Sequence, residues 1–248
     1  MNRTADIVEV FSGIQGEGIC VGRRQVFVRF AGCNLACAYC DTPESRGPVP
    51  LAQIESAAGS REFRAVKNPV TAADLAGFIA RLDSGRSHDS VSLTGGEPLL
   101  AADFIAELIP LCGGRRFYLE TNGTLPRELR KLAGLVHVVA MDIKLGSATG
   151  QPSDLDLARE FLSAAAAHNV FVKVVVTQAT GEDEVCEAAG IVASVDRRIP
   201  LVIQPVTPTS PEIRPPGPER LLVLQAAALR VLDDVRVIPQ VHKLMGQK

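Results

Sequence analysis

The sequence predicts an α/β protein organised around a largely parallel sheet. Three observations carry this. Short apolar, β-branched runs alternate with helical patterns about six times along the chain. The runs are continuous in character, as in strands covered on both faces, rather than alternating between apolar and polar. Polar and glycine-bearing stretches follow five of the runs at equivalent positions, which is where ligands bind in sheets of this kind. Strand–helix repetition with right-handed crossovers builds such a sheet, and the strands are too few for a closed eight-fold barrel, so an open one is expected.

The strand candidates, in order, are Gln25–Phe30 (QVFVRF), Ser90–Thr94 (SVSLT), Arg116–Thr121 (RFYLET), Leu135–Lys144 (LVHVVAMDIK), Val170–Thr177 (VFVKVVVT) and Ile199–Pro205 (IPLVIQP), with Val235–Val241 (VRVIPQV) a seventh. The helix candidates between them are Thr71–Leu82, Ala101–Leu111, Pro126–Leu132, Asp154–His168, Glu182–Val195 and Glu219–Leu232. The first opens with Thr71 three residues before Asp74, a capping arrangement. Pro43 to Asn68 interrupts the rhythm. It reads as an insertion with little regular structure, a short helix and a hairpin at most, and loops of this length are often lids or partner surfaces.

The whole chain, 248 residues and 46% hydrophobic, fits a single domain over 1–248 with a sizeable core. A formal net charge of −2 gives no general attraction to nucleic acid or acidic membrane. The first ten residues lack the apolar run of a signal peptide, and no apolar stretch approaches the roughly 18 residues of a membrane span. A cytoplasmic protein is expected. Six cysteines are too few for a disulfide scaffold. Cys20, Cys112 and Cys186 are scattered and read as small buried hydrophobes.

The other three cluster. GCNLACAYCDT places Cys33, Cys37 and Cys40 at C-x3-C-x2-C spacing, in the loop after the first core strand. Structural zinc usually needs a fourth ligand, often from a second C-x2-C knuckle, and none exists here; no histidine lies nearby in sequence. Three thiolates suit a cubane iron–sulfur cluster with one iron left open. Spacing alone leaves cluster, zinc and unligated redox thiols all standing. The remaining strand-end stretches are GGEP (Gly95–Pro98), ETNGT (Glu120–Thr124), DIKLGS (Asp142–Ser147) and QPVTPTS (Gln204–Ser210). In TGGEP the glycines let backbone approach a ligand closely. Glu97 either supports a bound ligand or braces the loop.

C-x3-C-x2-C with Tyr39 before the last cysteine, followed downstream by GGEP, resembles the radical S-adenosylmethionine superfamily. The resemblance implies an open, partial (β/α)6-type barrel. It implies that Cys33, Cys37 and Cys40 hold three irons of a 4Fe–4S cluster while S-adenosylmethionine chelates the fourth, and that one electron then releases a 5′-deoxyadenosyl radical that takes a hydrogen atom from the substrate. FSGIQGEG (Phe11–Gly18), FVRFAGCNLACAYCDT and RVIPQVHKLMG (Arg236–Gly246) together resemble the 7-carboxy-7-deazaguanine synthase family of queuosine and 7-deazapurine biosynthesis, over nearly the whole chain apart from 43–68. For that family the implied reaction is a lyase one. Hydrogen is removed at C6 of 6-carboxy-5,6,7,8-tetrahydropterin, the ring contracts, ammonia leaves, and magnesium assists.

Carried over position by position, the resemblance implies that Ile14, Gln15 and Gly16 face the pterin. Glu17 and Glu120 accept its N–H donors, Arg29 pairs with its carboxylate through a planar fork, and Thr94 and His242 touch it. Thr42 ligates magnesium, a hard cation that keeps several waters. Tyr39, Asp41, Gly96, Asn122, Asp142, Lys144 and Gln204 surround S-adenosylmethionine. The bland alternatives are a solvated acid at Glu17 and Glu120, a strand-edge charge at Arg29 and a solvated strand-end lysine at Lys144. The strand and tail at 235–248 contribute to the substrate site, and the terminal carboxylate of Lys248 is a weaker candidate. Gly13 departs from the family's usual serine. A flavodoxin or ferredoxin is the implied electron donor, and a homodimer the implied assembly. Two other readings remain in competition: a radical activase acting on a partner protein, and a non-enzymatic iron–sulfur or zinc protein.

Overall fold

A computed structural model describes residues 3–247; the Lys248 carboxylate lies outside the described residues. In chain order the strands are β1 (Thr4–Ala5), β2 (Ile7–Ile14), β3 (Arg24–Phe30), β4 (Leu51–Glu55), β5 (Phe63–Lys67), β6 (Val70–Thr71), β7 (Ser90–Gly95), β8 (Phe117–Thr121), β9 (Val138–Asp142), β10 (Asn169–Val176), β11 (Leu201–Pro205) and β12 (Val235–Val237). The helices are α1 (Ala72–Leu82), α2 (Ala102–Leu111), α3 (Pro126–Arg130), α4 (Gly146–Thr149), α5 (Leu155–Ala165), α6 (Glu182–Val195), α7 (Pro218–Ala228) and α8 (Val241–Leu244).

One ten-stranded sheet runs β12-β11-β10-β9-β8-β7-β3-β2-β4-β5, and its order does not close on itself. From β12 to β3 every neighbouring pair is parallel. β2 turns back antiparallel to β3, and β4 continues parallel to β2. The expected (β/α)6-type open sheet is therefore present, extended at one edge by β2, β4 and β5. The segment after the cysteine loop forms the expected short helix and hairpin, and the hairpin joins the main sheet. Pro43–Arg46 forms a short 3-10 turn, and β4 and β5 pair as an antiparallel hairpin on the sheet edge. Glu55, fully buried, fastens the hairpin, its Oε2 accepting from the Ser12 amide at 2.7 Å and its Oε1 from the Arg61 amide at 3.0 Å.

The expectation of strands covered on both faces also needs correction. Strand side chains alternate between faces. Val26, Val28 and Phe30 of β3, Val91 and Leu93 of β7, Phe117 and Leu119 of β8, Val139 and Met141 of β9, and Val172, Val174 and Val176 of β10 enter the main core with the helices. The residues between them, including Phe27, Arg29, Thr94, Tyr118, Glu120, Ala140, Asp142, Phe171, Lys173 and Gln204, line one cavity instead. Six parallel strands and β2 supply that lining, so this face is concave.

The helices pack in chain order, α1 on α2, α3 on α5, α5 on α6 and α6 on α7. Two of the N-termini are closed by side-chain caps. Thr71 caps α1 by accepting from the Asp74 amide at 3.1 Å, and Asp154 caps α5 by accepting from the Leu157 amide at 2.9 Å. The Val235–Val241 strand is shorter than expected, since Pro239 has no amide to give a ladder and the chain turns into α8. No helix among the described residues is long and apolar enough to cross a membrane. Replacing Thr71 with alanine removes the α1 cap. We expect a loss of about 1 kcal/mol of stability, read as a lower urea midpoint with an unchanged denaturant slope.

Candidate active site

The cavity holds about 420 Å³ and is lined by the site residues that the sequence nominated, apart from Glu97, which lies behind it, and Lys248, which is outside the described residues. One pole belongs to the cysteine loop. Cys33, Cys37 and Cys40 line it, and all six cysteines of the chain are free thiols. Burial pushes the Cys33 and Cys37 thiols up, so a positive centre is needed to hold them as thiolates. Among the described residues no three histidine, cysteine or acidic side chains converge to hold a single ion. The loop is anchored by the Arg46 guanidinium, whose Nη2 donates to the Cys37 carbonyl at 2.5 Å, and by the Ala38 amide donating to the Thr149 carbonyl at 2.9 Å.

TGGEP follows β7 and packs against this loop. A Cβ on Gly96 would lie 2.0 Å from the Gly32 carbonyl oxygen and 2.8 Å from that of Ser45, so only glycine permits the approach. The alternatives left open for Glu97 resolve to bracing. Buried at 1% exposure, its carboxylate accepts from the Leu99 amide (3.0 Å), the Thr121 hydroxyl (2.8 Å) and the Asn122 amide (2.8 Å). It thereby joins the ends of β7 and β8. Asn122 in turn donates to Asn34 Oδ1 in the cysteine loop at 2.8 Å.

Beside the thiols, Lys144 Nζ donates to the Tyr39 hydroxyl at 3.0 Å and pairs with Asp142 Oδ2 at 2.9 Å. It is no solvated lysine. Burial and then Asp142 raise the Tyr39 hydroxyl, which stays protonated. Two buried acceptors in this region, Asp142 Oδ1 and Gln204 Oε1, lack a hydrogen-bond partner. Such atoms are costly unless something donates to them. Three thiols beside two unpartnered acceptors fit a cluster with a bound amino-acid cofactor.

The opposite pole is built from β2, β3, β8 and the segment after β2. A relay of side chains fixes it. Ser90 Oγ accepts from Gln25 Nε2 at 2.9 Å, and Gln25 Oε1 accepts from Gln15 Nε2 at 3.0 Å. Gln15 Nε2 also donates to Glu120 Oε1 at 2.9 Å, and Gln15 Oε1 accepts from the Glu17 amide at 3.0 Å. Glu120 further accepts from Ser92 and from Thr94 Oγ1, the latter at 2.8 Å. Arg29 Nε donates to Glu9 Oε1 at 2.9 Å, both side chains largely buried. Phe11 and Phe27 stack at 5.1 Å beneath them.

Glu17 is likewise no solvated acid. It pairs with Lys173 and accepts from Gln240 Nε2 at 2.7 Å. Burial alone would raise its carboxyl, but Lys173 and these hydrogen bonds outweigh that and bring it down to about 2. Gln240, from the segment after β12, also donates to Asp41 Oδ2 at 3.3 Å, and Lys243 pairs with Asp41 at 3.1 Å. His242 lies directly on Gly16: a Cβ there would fall 2.2 Å from its Nδ1. Burial holds the His242 imidazole below its ordinary value. Thr42 lines the cavity with its Oγ1 accepting from Ser45 Oγ at 3.3 Å.

Sequence reasoning missed Glu9, Gln25, Arg46, Lys173, Gln240 and Lys243. Three of these carried a readable signal: Glu9 in IVEVF, Gln25 opening QVFVRF and Lys173 in VFVKVVV are polar interruptions of apolar strands.

Burial, working against its three hydrogen bonds, pushes Glu97 up from its ordinary 4.5 to about 7. Its folded value lies above its unfolded one, so its contribution to stability is complete below the unfolded value and is lost as pH rises through the folded one. We expect the melting temperature of the metal-free protein to fall between about pH 4.5 and pH 7, and Glu97→Gln to flatten that fall. An equally steep fall in the variant would count against it.

Comparison with known proteins accords with this geometry. The family model described as the radical SAM superfamily matches residues 27–184. The chain is 42% identical over 246 residues to a Geobacter sulfurreducens protein named 7-carboxy-7-deazaguanine synthase, covering 98% of each chain. It is 42% identical over 262 residues to a Methanothermobacter thermautotrophicus protein of the same name, covering 98% of this chain and 97% of that one. Among solved structures, QueE from Escherichia coli matches with a TM-score of 0.60 at 20% identity over 96% of this chain and 95% of that one. Streptococcus suis SuiB bound to S-adenosylmethionine matches with a TM-score of 0.54 at 18% identity, over 84% of this chain and 48% of that one. At these identities both structures support the fold. The chain belongs to the radical S-adenosylmethionine superfamily and, within it, to the 7-carboxy-7-deazaguanine synthase family.

Proposed function

We propose that this chain converts 6-carboxy-5,6,7,8-tetrahydropterin to 7-carboxy-7-deazaguanine with loss of ammonia. The observation that carries the reading is a single cavity with three cysteine thiols at one pole and an oriented amide–carboxylate relay at the other. Its volume, about 420 Å³, suits a small molecule rather than a polypeptide, which favours this reaction over action on a partner protein.

The superfamily implies a 4Fe–4S cluster and S-adenosylmethionine. In our assignment Cys33, Cys37 and Cys40 hold the cluster. Gly96, Asp142, Lys144, Gln204, Tyr39, Asp41 and Asn122 hold the cofactor, with the unpartnered Asp142 Oδ1 and Gln204 Oε1 taking its donors. The group supplies, when bound, a carbon radical that removes the C6 hydrogen atom of the pterin. The chain's own residues do the rest. Glu17 and Glu120 accept pterin N–H donors. Glu17 is suited to this because Lys173 keeps it ionised, and Glu120 because Gln15, Ser92 and Thr94 orient it. Arg29, held by Glu9, pairs with the pterin carboxylate. Ile14, Gly16 and His242 close over the ring. His242 is held toward neutrality by burial and so supplies a hydrogen bond without a charge. Thr42 gives one oxygen to a magnesium ion beside that carboxylate. A low-potential flavodoxin or ferredoxin supplies the electron, and the working form is a cytoplasmic homodimer.

Anaerobic turnover of the reconstituted protein with the carboxytetrahydropterin, S-adenosylmethionine and a reductant tests the reading. We expect 7-carboxy-7-deazaguanine by mass spectrometry. Normal cleavage of S-adenosylmethionine without a deazapurine product would move the assignment to another radical reaction. Thr42→Ala should raise the magnesium concentration needed for half-maximal rate by about tenfold or more while leaving S-adenosylmethionine binding near native. Equal losses in both would contradict its role.

A further inference from the structure

Lys173 sits in the middle of β10, where its strand neighbours on either side are apolar. A lysine on a sheet usually extends its ammonium into water. This one is 16% exposed and lies between two acids, paired with Glu17 on one side and 3.5 Å from Asp142 Oδ2 on the other. Asp142 is its register partner on β9. Asp142 also takes Lys144, which donates to Tyr39. An alternating chain, Glu17–Lys173–Asp142–Lys144–Tyr39, thus crosses the cavity from the QGEG segment to the cysteine loop.

Burying charge is expensive unless it is paired, and apolar residues often replace buried pairs without loss of stability. Stability alone therefore does not account for this lysine. Its position does. Glu17 belongs to the half of the cavity assigned above to the pterin, and Asp142 to the half assigned to S-adenosylmethionine. One ammonium is shared by both. A donor arriving at the unpartnered Asp142 Oδ1 draws on that carboxylate's charge and leaves the ammonium to Glu17, whose orientation it then fixes. The reverse holds when the substrate occupies Glu17.

We propose that Lys173 is a positioning residue that couples the two halves of the site, so that S-adenosylmethionine and pterin each tighten the binding of the other. The proposal rests on the functional reading above for what fills each half. Coupling of this kind is reciprocal, as linkage requires.

Equilibrium binding tests it on anaerobically reconstituted protein without reductant, so that no turnover occurs. S-adenosylmethionine affinity is measured with and without saturating carboxytetrahydropterin, and the pterin's with and without the cofactor. In the native protein we expect each to tighten the other by about tenfold, within the range usual for coupled sites. Lys173→Met should bind S-adenosylmethionine alone within about threefold of native and lose the mutual tightening. Lys173→Arg, which keeps the charge and is better tolerated by the two acids, should reduce the factor without abolishing it. Native coupling in both variants would overturn the proposal and leave the functional reading intact. A native protein that binds S-adenosylmethionine and not the pterin would overturn the functional reading, and this proposal with it.

Discussion

Everything in this molecule depends on the two-residue alternation of a β-strand. Each central strand sends every second side chain into the helix layer and the others into the cavity. The helix side takes valine, leucine, isoleucine and phenylalanine almost without exception. The cavity side takes the groups that do chemistry: Arg29, Thr94, Glu120, Asp142, Lys173 and Gln204. A one-residue slip of any of these strands would exchange the two sets. The core that fixes the register is therefore also what aims the site.

Aiming is then refined by hydrogen bonds that have no reactive role of their own. Glu97 ties the loops after β7 and β8 together and holds the backbone against which the cysteine loop rests. Gln25, fully buried, orients Gln15, and Gln15 orients Glu120. A buried amide with one satisfied arrangement holds its neighbour in one arrangement too. Groups set in place before a ligand arrives lose little freedom when it binds.

The parallel strands alone do not complete the cavity lining, and two segments distant in sequence add to it. The segment after β12 brings Gln240, His242 and Lys243 onto Gly16, Glu17 and Asp41. The β4–β5 hairpin adds Gln53 to the lining and is fastened to β2 through Glu55. The N-terminal QGEG segment and the C-terminal segment thus meet as one substructure.

Much was legible in the sequence. The strand and helix order followed from apolar runs and caps, and the thiol cluster followed from spacing. The strand-end position of GGEP, ETNGT, DIKLGS and QPVTPTS located the site, because parallel strands deliver their carboxyl ends to one edge. What periodicity could not give was the meaning of a polar residue inside an apolar run. Glu9, Gln25 and Lys173 interrupt their strands in a way that reads equally as an edge or a solvated position, and only the folded sheet shows Glu9 and Lys173 facing a cavity and Gln25 buried behind Gln15. Likewise the hairpin expected within 43–68 gave no sign that it would extend the main sheet, since pairing with β2 is a long-range choice. The sequence by itself determined the alternation of elements and which residue types could hold a cluster. The tertiary structure decided which charges meet. Glu17, Lys173 and Asp142 are far apart in the chain and acquire their pairing only when β9 and β10 lie in register beneath the QGEG segment.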